Sequence, residues 1–339
     1  MSTKGWVVRL AKRPVGTPTL DCFDILEEEV TPPSENEVVI RNHFLSVDPY
    51  MRGRMSDAPS YVAPYGLGEI LEGQAVGVVE ESRSPRVPVG TAVTHGLGWR
   101  DWTTAPSSQV RAINPEHGPL SAFLGPLGTP GLTAYVGILD VAEVRPGDVV
   151  YVSGAAGAVG SIAGQIARLR GAGKVVGSAG SSEKVAYLLD DLGFDGAFNY
   201  RDGEIRSLLR AHAGKLDVFF DNVGGEQLEA AIAAMSTFGR IAICGAIANY
   251  NLPTQPPGPR NLLVFPSKRL TMKGFLVGDF EHRRAEFERA MSAWLRAGRV
   301  KLAETVVDGV DNTPRAFLGL LKGDNVGKML VRATGGQQA

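Results

Sequence analysis

The residues whose spacing most directly suggests chemistry are Gly154-Ala155-Ala156-Gly157-Ala158-Val159-Gly160. An apolar run, Asp148-Val149-Val150-Tyr151-Val152-Ser153, leads into them, and Ser161-Ile162-Ala163-Gly164-Gln165-Ile166-Ala167-Arg168 continues as a helix pattern. Spaced from Ala155 the turn reads A-x-G-x-x-G, with the strand before it and the helix after it that a dinucleotide site needs. Small residues let backbone N–H groups approach a pyrophosphate, and the helix N-terminus adds partial positive charge. Gly160 lets that helix pack closely on its strand. The plain alternative is a tight turn in an α/β domain that holds no ligand.

The second strand, Lys174-Val175-Val176-Gly177-Ser178, bears on which dinucleotide fits. NAD sites place an acid near its tip, about 20 residues on, to bind the ribose 2′-hydroxyl. Here Ala179-Gly180-Ser181-Ser182-Glu183-Lys184 follows, with no carboxylate at the tip and Glu183 already inside the next helix. Serine hydroxyls and Lys184 suit a 2′-phosphate through charge-assisted hydrogen bonds, so NADP(H) is the expected cofactor. Read plainly, Lys184 is a solvated helix lysine. No metal is expected. Leu71-Glu72-Gly73-Gln74-Ala75-Val76-Gly77 lacks the histidine of a Gly-His-Glu motif, and His43, His95, His117, His212 and His282 are scattered. His43 and His95 read as residues that cap or fill core edges.

The elements that must position this turn alternate. Strands are expected at Val149–Ser153, Lys174–Ser178, Gly196–Asn199, Val218–Asp221, Arg240–Cys244 and Leu270–Val277, with helices near 158–170, 181–192, 203–213, 225–236, 260–267 and 281–298. That alternation implies a parallel doubly wound sheet. A capped helix start is expected at Thr129-Pro130, with Thr129 as N-cap. The first 120 or so residues instead show short strands between Pro and Gly turns, at Trp6–Leu10, Glu37–Phe44, Gln74–Glu80 and Gly90–Thr94, with a long surface loop over 53–69. After Val300 the pattern returns to short segments, which predicts that the tail rejoins the first domain.

The chain has 339 residues, enough for about two domains. Lys plus Arg (35) nearly balances Asp plus Glu (36), which argues against a broad nucleic-acid surface or an acidic-membrane dock. Two cysteines, Cys22 and Cys244, exclude a disulfide scaffold and a four-cysteine zinc site. No apolar run approaches the roughly 18 residues of a membrane span, and the N-terminus lacks a leader pattern, so a soluble cytoplasmic protein is expected.

Taken together, the segments resemble a known family. Ser46-Val47-Asp48-Pro49-Tyr50-Met51-Arg52, Gly131-Leu132-Thr133-Ala134-Tyr135, the turn from Ser153 to Ser161, Ala179 to Lys184, Asp221-Asn222-Val223-Gly224-Gly225, Cys244-Gly245-Ala246-Ile247-Ala248-Asn249-Tyr250-Asn251, Gly258-Pro259-Arg260-Asn261 and Asn325-Val326-Gly327-Lys328 run in family order. The chain resembles the zinc-free medium-chain dehydrogenase/reductase superfamily, and within it the group of leukotriene B4 12-hydroxydehydrogenases/prostaglandin reductases, plant double-bond reductases and bacterial curcumin reductases. The resemblance implies an α/β fold, a Rossmann doubly wound parallel sheet over 126–299 inserted in a GroES-like β domain of residues 1–125 plus 300–339. It implies NADPH-dependent reduction of the C=C bond of α,β-unsaturated ketones and aldehydes.

By the same resemblance Gly157, Ala158, Val159 and Gly160 hold the pyrophosphate, and Lys184 and Tyr200 stand by the 2′-phosphate or adenine. Asn222 lies beside the cofactor, Cys244, Gly245, Ala246, Ile247 and Tyr250 line it, and Phe275, Leu276 and Val277 flank the nicotinamide. Asn325 reaches it from the tail. Tyr200, Asn222 and Asn325 also fit plain turn roles, and Phe275 a core role. Hydride addition to the β-carbon builds charge on the carbonyl oxygen, which a donor would stabilise. Tyr250 is the first candidate, Tyr50 the second and the cofactor's ribose hydroxyl the third; the alternative for both tyrosines is a wall of the pocket. Tyr61 and Tyr65 are expected to line an apolar substrate pocket or to stand as solvent-exposed loop aromatics. Arg52 supports the loop or a ligand carboxylate. A homodimer through the sheet edge at Leu270–Val277 is expected. The competing readings are a quinone oxidoreductase of the zeta-crystallin type and a non-catalytic NADPH-binding protein.

Overall fold

The computed structural model describes residues 3–254 and 256–333. It divides into two compact units, one built from the described residues up to Leu124 and from Glu304 onward, the other from Gly125–Ala303. In chain order the first unit holds strands β1 (Lys4–Leu10), β2 (Phe23–Glu29), β3 (Glu37–Ser46), β4 (Ala75–Ser82), β5 (Ala92–His95), β6 (Trp102–Pro106) and β7 (Val110–Ala112), with the short helix α1 (Met51–Arg54). The second holds α2 (Thr129–Val136), β8 (Val149–Val152), α3 (Ala158–Leu169), β9 (Lys174–Ala179), α4 (Ser182–Ala186), β10 (Gly196–Asn199), α5 (Ile205–His212), β11 (Leu216–Asp221), α6 (Gly225–Ala234), β12 (Met235–Ile243), α7 (Val264–Lys268), β13 (Thr271–Gly274) and α8 (Arg284–Arg296). The tail then adds β14 (Glu304–Asp308), α9 (Thr313–Lys322) and β15 (Lys328–Arg332) to the first unit.

In the second unit six parallel strands lie in the order β10-β9-β8-β11-β12-β13. Strands of such a sheet are covered on both faces and read as continuous apolar runs. Val150, Tyr151, Val152, Val175, Val176, Phe219 and Phe220 are accordingly buried. The order reverses between β8 and β11, which opens a crevice at their carboxyl ends, where doubly wound folds bind ligands. The expected parallel doubly wound sheet is therefore what forms.

Two local expectations need correction. Gly128, not Thr129, is the N-cap of α2; Thr129 is the first helical residue and Pro130 lies in the first turn, where its missing N–H costs nothing. The last strand is Thr271–Gly274, shorter than Leu270–Val277, because a 3₁₀ turn already begins at Val277. The segment 53–69 is the expected long surface loop, tied down at a few points. Arg13 donates to Met55 O (3.1 Å) and Tyr65 O (3.0 Å), and Arg54 donates to Ala63 O (2.8 Å).

The first unit is a seven-stranded sheet in which β14-β15-β3-β4-β5-β7 are neighbours and β6 pairs with β3, plus the β1–β2 hairpin. Its larger core gathers Trp99, Phe23 and Phe317, with ring centroids 5.8–6.3 Å apart. β14 and β15 pair in parallel, and β15 pairs antiparallel with β3, so the tail completes the sheet. Among the described residues no helix is long and apolar enough to cross a membrane.

His95 is buried at the end of β5. Its Nδ1 accepts from Leu97 N (3.1 Å), which leaves Nε2–H to donate to Asn42 Oδ1 (2.8 Å). The Asn42 amide in turn donates to Arg100 O and Thr103 Oγ1. Burial lowers the His95 pKa from the usual 6.5 to about 3, with Arg100 adding to the shift. The unfolded chain takes up a proton below 6.5 and the folded chain does not, so stability present above 6.5 is lost as pH falls toward 3. Denaturant melts of His95→Gln should show a shallower acid loss than the unsubstituted chain over that window; equal slopes would remove His95 from the acid response.

Candidate active site

Three turns meet at the carboxyl ends of β8, β11 and β12. The first leaves β8 at Ser153. Gly154 takes a left-handed φ of 57°, and Gly157 caps α3. The first helical bond is Ser161 N to Gly157 O (3.0 Å), so the N–H groups of Ala158, Val159 and Gly160 precede any intrahelical acceptor. Gly157, Ala158 and Val159 are half-buried, while Gly160 is buried. A Cβ on Gly160 would stand 2.5 Å from Gly154 O and 2.8 Å from Ala155 Cα, closer than atoms can pack. The glycine spacing thus has the physical cause expected of it, and the turn presents donors suited to a pyrophosphate.

Asp221, the last residue of β11, ties this turn to the other two. Its Oδ1 accepts from Ser153 Oγ (2.7 Å), Val223 N (3.0 Å) and Gly224 N (3.0 Å). Its main-chain oxygen accepts from Cys244 N (2.8 Å) and Gly245 N (3.1 Å). Burial pushes its carboxyl above the usual carboxylate range, against the pull of those donors. Asn222 adds a second tie, donating from Nδ2 to Ser153 O (2.7 Å). Its own carbonyl accepts from Ile247 N (3.2 Å) and Val223 O accepts from Ala248 N (3.2 Å), which draws the 244–250 loop over the β11 turn. Asp221 carried no role in the sequence reading; the available signal was an acid closing an otherwise apolar strand just before Asn-Val-Gly-Gly.

Cys244, Gly245, Ala246 and Ile247 are half-buried along that loop. Desolvation pushes the Cys244 thiol up to about 12, so it is a protonated lining group rather than a nucleophile. Tyr250 follows a short 3₁₀ turn over Ile247–Asn249 and is half-buried. A Cβ on Gly245 would lie 3.3 Å from Tyr250 Oη and 3.5 Å from Asn222 O, so the phenol folds back over the strand ends. On the β9 side, Ser181 caps α4 by accepting from Lys184 N (3.3 Å), and Lys184 is half-buried. Tyr200 lies against Gly180, where a Cβ would stand 2.9 Å from its Oη.

The structure brings these residues together at the strand ends of the second unit. Phe275 is half-buried and packs edge-on against Phe220 (6.4 Å) and Phe280 (6.2 Å). Leu276 is 43% exposed and Val277 half-buried. In the first unit Tyr65 is a correction: at 4% exposure it is core rather than pocket wall, donates to Glu72 O (2.7 Å) and carries Arg54 over its ring at 4.1 Å. Tyr61 is 68% exposed. Arg52 is buried and donates twice to Gly16 O (2.7 and 3.2 Å), contacts of the loop-support kind. Asn325 is buried and donates one Nδ2–H to Gly327 O (2.7 Å), the turn role that stands beside its cofactor role.

Tyr50 is half-buried just before α1, and burial with the nearby Asp48 carboxylate raises its hydroxyl well above the usual value. A phenol kept neutral this way remains a hydrogen-bond donor. Its segment is fixed by Lys328, whose buried ammonium donates to Val47 O (2.8 Å), Asp48 Oδ1 (2.9 Å) and Met329 O (3.0 Å).

Comparison with known proteins agrees with this construction. Residues 6–113 match the family model described as the N-terminal domain of oxidoreductase, and residues 158–296 the one described as zinc-binding dehydrogenase. The NADPH-dependent curcumin reductase of Escherichia coli (strain K12) is 38% identical over 97% of this chain and 96% of its own length. Prostaglandin reductase 1 of Rattus norvegicus is 42% identical over 98% of this chain and all of its own. The chain belongs to the zinc-free medium-chain dehydrogenase/reductase superfamily. The crystal structure of CurA in complex with NADPH from Vibrio vulnificus superposes with a TM-score of 0.92 at 38% identity, covering 98% of this chain and 100% of that one.

A dehydrogenase of this superfamily that used zinc would need a ligand set. Among the described residues no group of three or more His, Cys, Asp and Glu side chains is placed to hold a metal ion. Gln74 stands where a ligand histidine would follow Gly73, and His95 spends both ring nitrogens on Asn42 and Leu97. The residues do not fit a zinc ion, and no step is routed through one.

Gly160→Ala should cost about 1–3 kcal/mol by overpacking and weaken dinucleotide binding more than it weakens the fold. Thermal melts with and without NADPH check this: a lost ligand-induced shift is expected, and a wild-type shift would show that the turn yields without affecting the ligand.

Proposed function

We propose that this chain is an NADPH-dependent reductase of the C=C bond of α,β-unsaturated ketones and aldehydes. The observation that carries the reading is the cluster of turns held by Asp221, in which a dinucleotide turn, an acid-free second strand and Tyr250 converge at the carboxyl ends of β8, β9, β11 and β12. Similarity over nearly the whole chain to a curcumin reductase and a prostaglandin reductase supports it.

Bound NADPH supplies the hydride that the substrate's β-carbon accepts. The chain's part is to hold the dinucleotide and to meet the charge that builds on the carbonyl oxygen. Ala158, Val159 and Gly160 offer N–H groups to the pyrophosphate, and Lys184 with Tyr200 takes the 2′-phosphate. A neutral phenol donating to the carbonyl oxygen stabilises the enolate-like charge without giving up its proton. Tyr250 is the first donor, because its hydroxyl lies over Gly245 and Asn222; Tyr50 is the second. A proton from water then reaches the α-carbon, so one hydride and one proton saturate the bond. A protonated Cys244 also suits an enzyme whose substrates alkylate thiolates.

We also propose a homodimer through β13. It is one of the sheet's two edge strands and all four of its residues are exposed, with Met272 at 41%. An uncovered edge of this kind can pair with its two-fold mate. Sedimentation should give a mass near twice the 36.0 kDa of the chain; a single-chain mass removes the dimer.

NADPH consumption should be followed with a 2-alkenal, an enone, a curcumin-like dienone, a 15-keto prostaglandin and a quinone, each repeated with NADH. Saturated product from the enal or enone, with NADPH preferred, is expected. Turnover of the quinone alone would favour the quinone oxidoreductase, and NADPH binding without turnover the non-catalytic reading. Tyr250→Phe should slow the chemical step on a small enone by about tenfold or more; an unchanged step would remove Tyr250 as donor.

A further inference from the structure

We propose that Arg201 is a second cation for the cofactor's 2′-phosphate and helps to set the preference for NADPH over NADH, an inference that rests on the NADPH reading above. The argument begins with Tyr200. Its N–H donates to Ala179 O (3.1 Å), which fastens the end of β10 to the end of β9. Its ring lies against Gly180, where a Cβ would come within 2.9 Å of Oη and 3.2 Å of Cε1 and Cζ. Gly180 leads directly into Ser181, the cap of α4, whose first turn carries Lys184. The phenol, the capping serine and the lysine therefore share the tips of β9 and β10.

Arg201 is the next residue. Its guanidinium carbon stands 5.6 Å from the centroid of the Tyr200 ring, a cation–π distance that holds the exposed side chain beside the phenol. The neighbouring acids bond other side chains and form no ion pair with it. Asp202 Oδ1 accepts from Asn199 Nδ2 (2.7 Å), and Glu204 Oε2 accepts from Ser207 Oγ (2.7 Å). Asn199 Oδ1 also accepts from Arg201 N (3.1 Å), so the turn that carries the arginine is itself braced. Among the described residues the Arg201 guanidinium forms no ion pair.

An arginine without an ion pair, on the phenol at the strand tips that lead into the helix of Lys184, is suited to a dianion. The planar fork of a guanidinium matches two phosphate oxygens, whereas an ammonium meets them as a point charge. The 2′-phosphate is what separates NADPH from NADH, so a cation that meets it adds to discrimination and not to general dinucleotide affinity.

The test is calorimetric titration of the full chain and of Arg201→Ala and Arg201→Lys with adenosine 2′,5′-bisphosphate and with 5′-AMP, thermal melts confirming that each variant is folded. Arg201→Ala should weaken the bisphosphate by about three- to tenfold, with Arg201→Lys between it and the wild type, while 5′-AMP changes by less than about twofold. Wild-type affinity of Arg201→Ala for the bisphosphate, or equal loss for both ligands, would overturn the role of Arg201. A wild-type chain that binds both ligands equally would overturn the NADPH reading itself.

Discussion

The candidate site depends on one buried carboxylate. Asp221 Oδ1 takes a hydroxyl and two backbone N–H groups from two different turns, and the same residue's carbonyl takes two N–H groups from a third. Buried donors left unpaired cost about 1–3 kcal/mol each, so removing this side chain would strand several at once. The side chain is fully buried, and one of its oxygens, Oδ1, takes all three of these bonds. What the chain obtains is registration: the dinucleotide turn, the Asn222 turn and the Tyr250 loop are held relative to one another by short hydrogen bonds instead of by side-chain packing alone.

That registration matters because of the sheet's order. Strands β8 and β11 are neighbours in space but separated in sequence by two strands and their helices. Their connections leave to opposite sides, so nothing in the covalent chain brings the turns together. The hydrogen bonds of Asp221, Asn222 and Ser153 do, and Gly160 allows α3 to approach closely enough for its N-terminus to take part. Electrostatic catalysis requires donors fixed before the charge develops, and this is the structural form that requirement takes here.

The other unit uses the same device with cations. Lys328 gives its three donors to Val47, Asp48 and Met329, which joins the returning tail to the segment ahead of Tyr50. Arg52 bonds Gly16, Arg13 bonds Met55 and Tyr65, and Arg54 bonds Ala63. Residues that look in sequence like charged ligands are thereby spent on backbone carbonyls, because irregular chain between short strands has carbonyls that no sheet partner satisfies.

The amino-acid sequence by itself determined the doubly wound unit, the dinucleotide turn, the NADP-type second strand and the family. Each is written in local periodicity or in motifs of a few residues, where strand, turn and helix propensities act over short spans. It also located the last strand, although not its length, since strand ends depend on pairing. Only the tertiary structure decided which carbonyls the polar candidate residues reach. Arg52, Tyr65 and Asn325 carry the same side chains as binding residues do, and their assignment to Gly16, Glu72 and Gly327 rests on which carbonyl lies within reach. Asp221 is the converse case. Two of its side-chain bonds are local, to Val223 and Gly224, but the third reaches Ser153, 68 residues away, and no local pattern records a hydrogen bond that forms only when separate strands come to lie side by side.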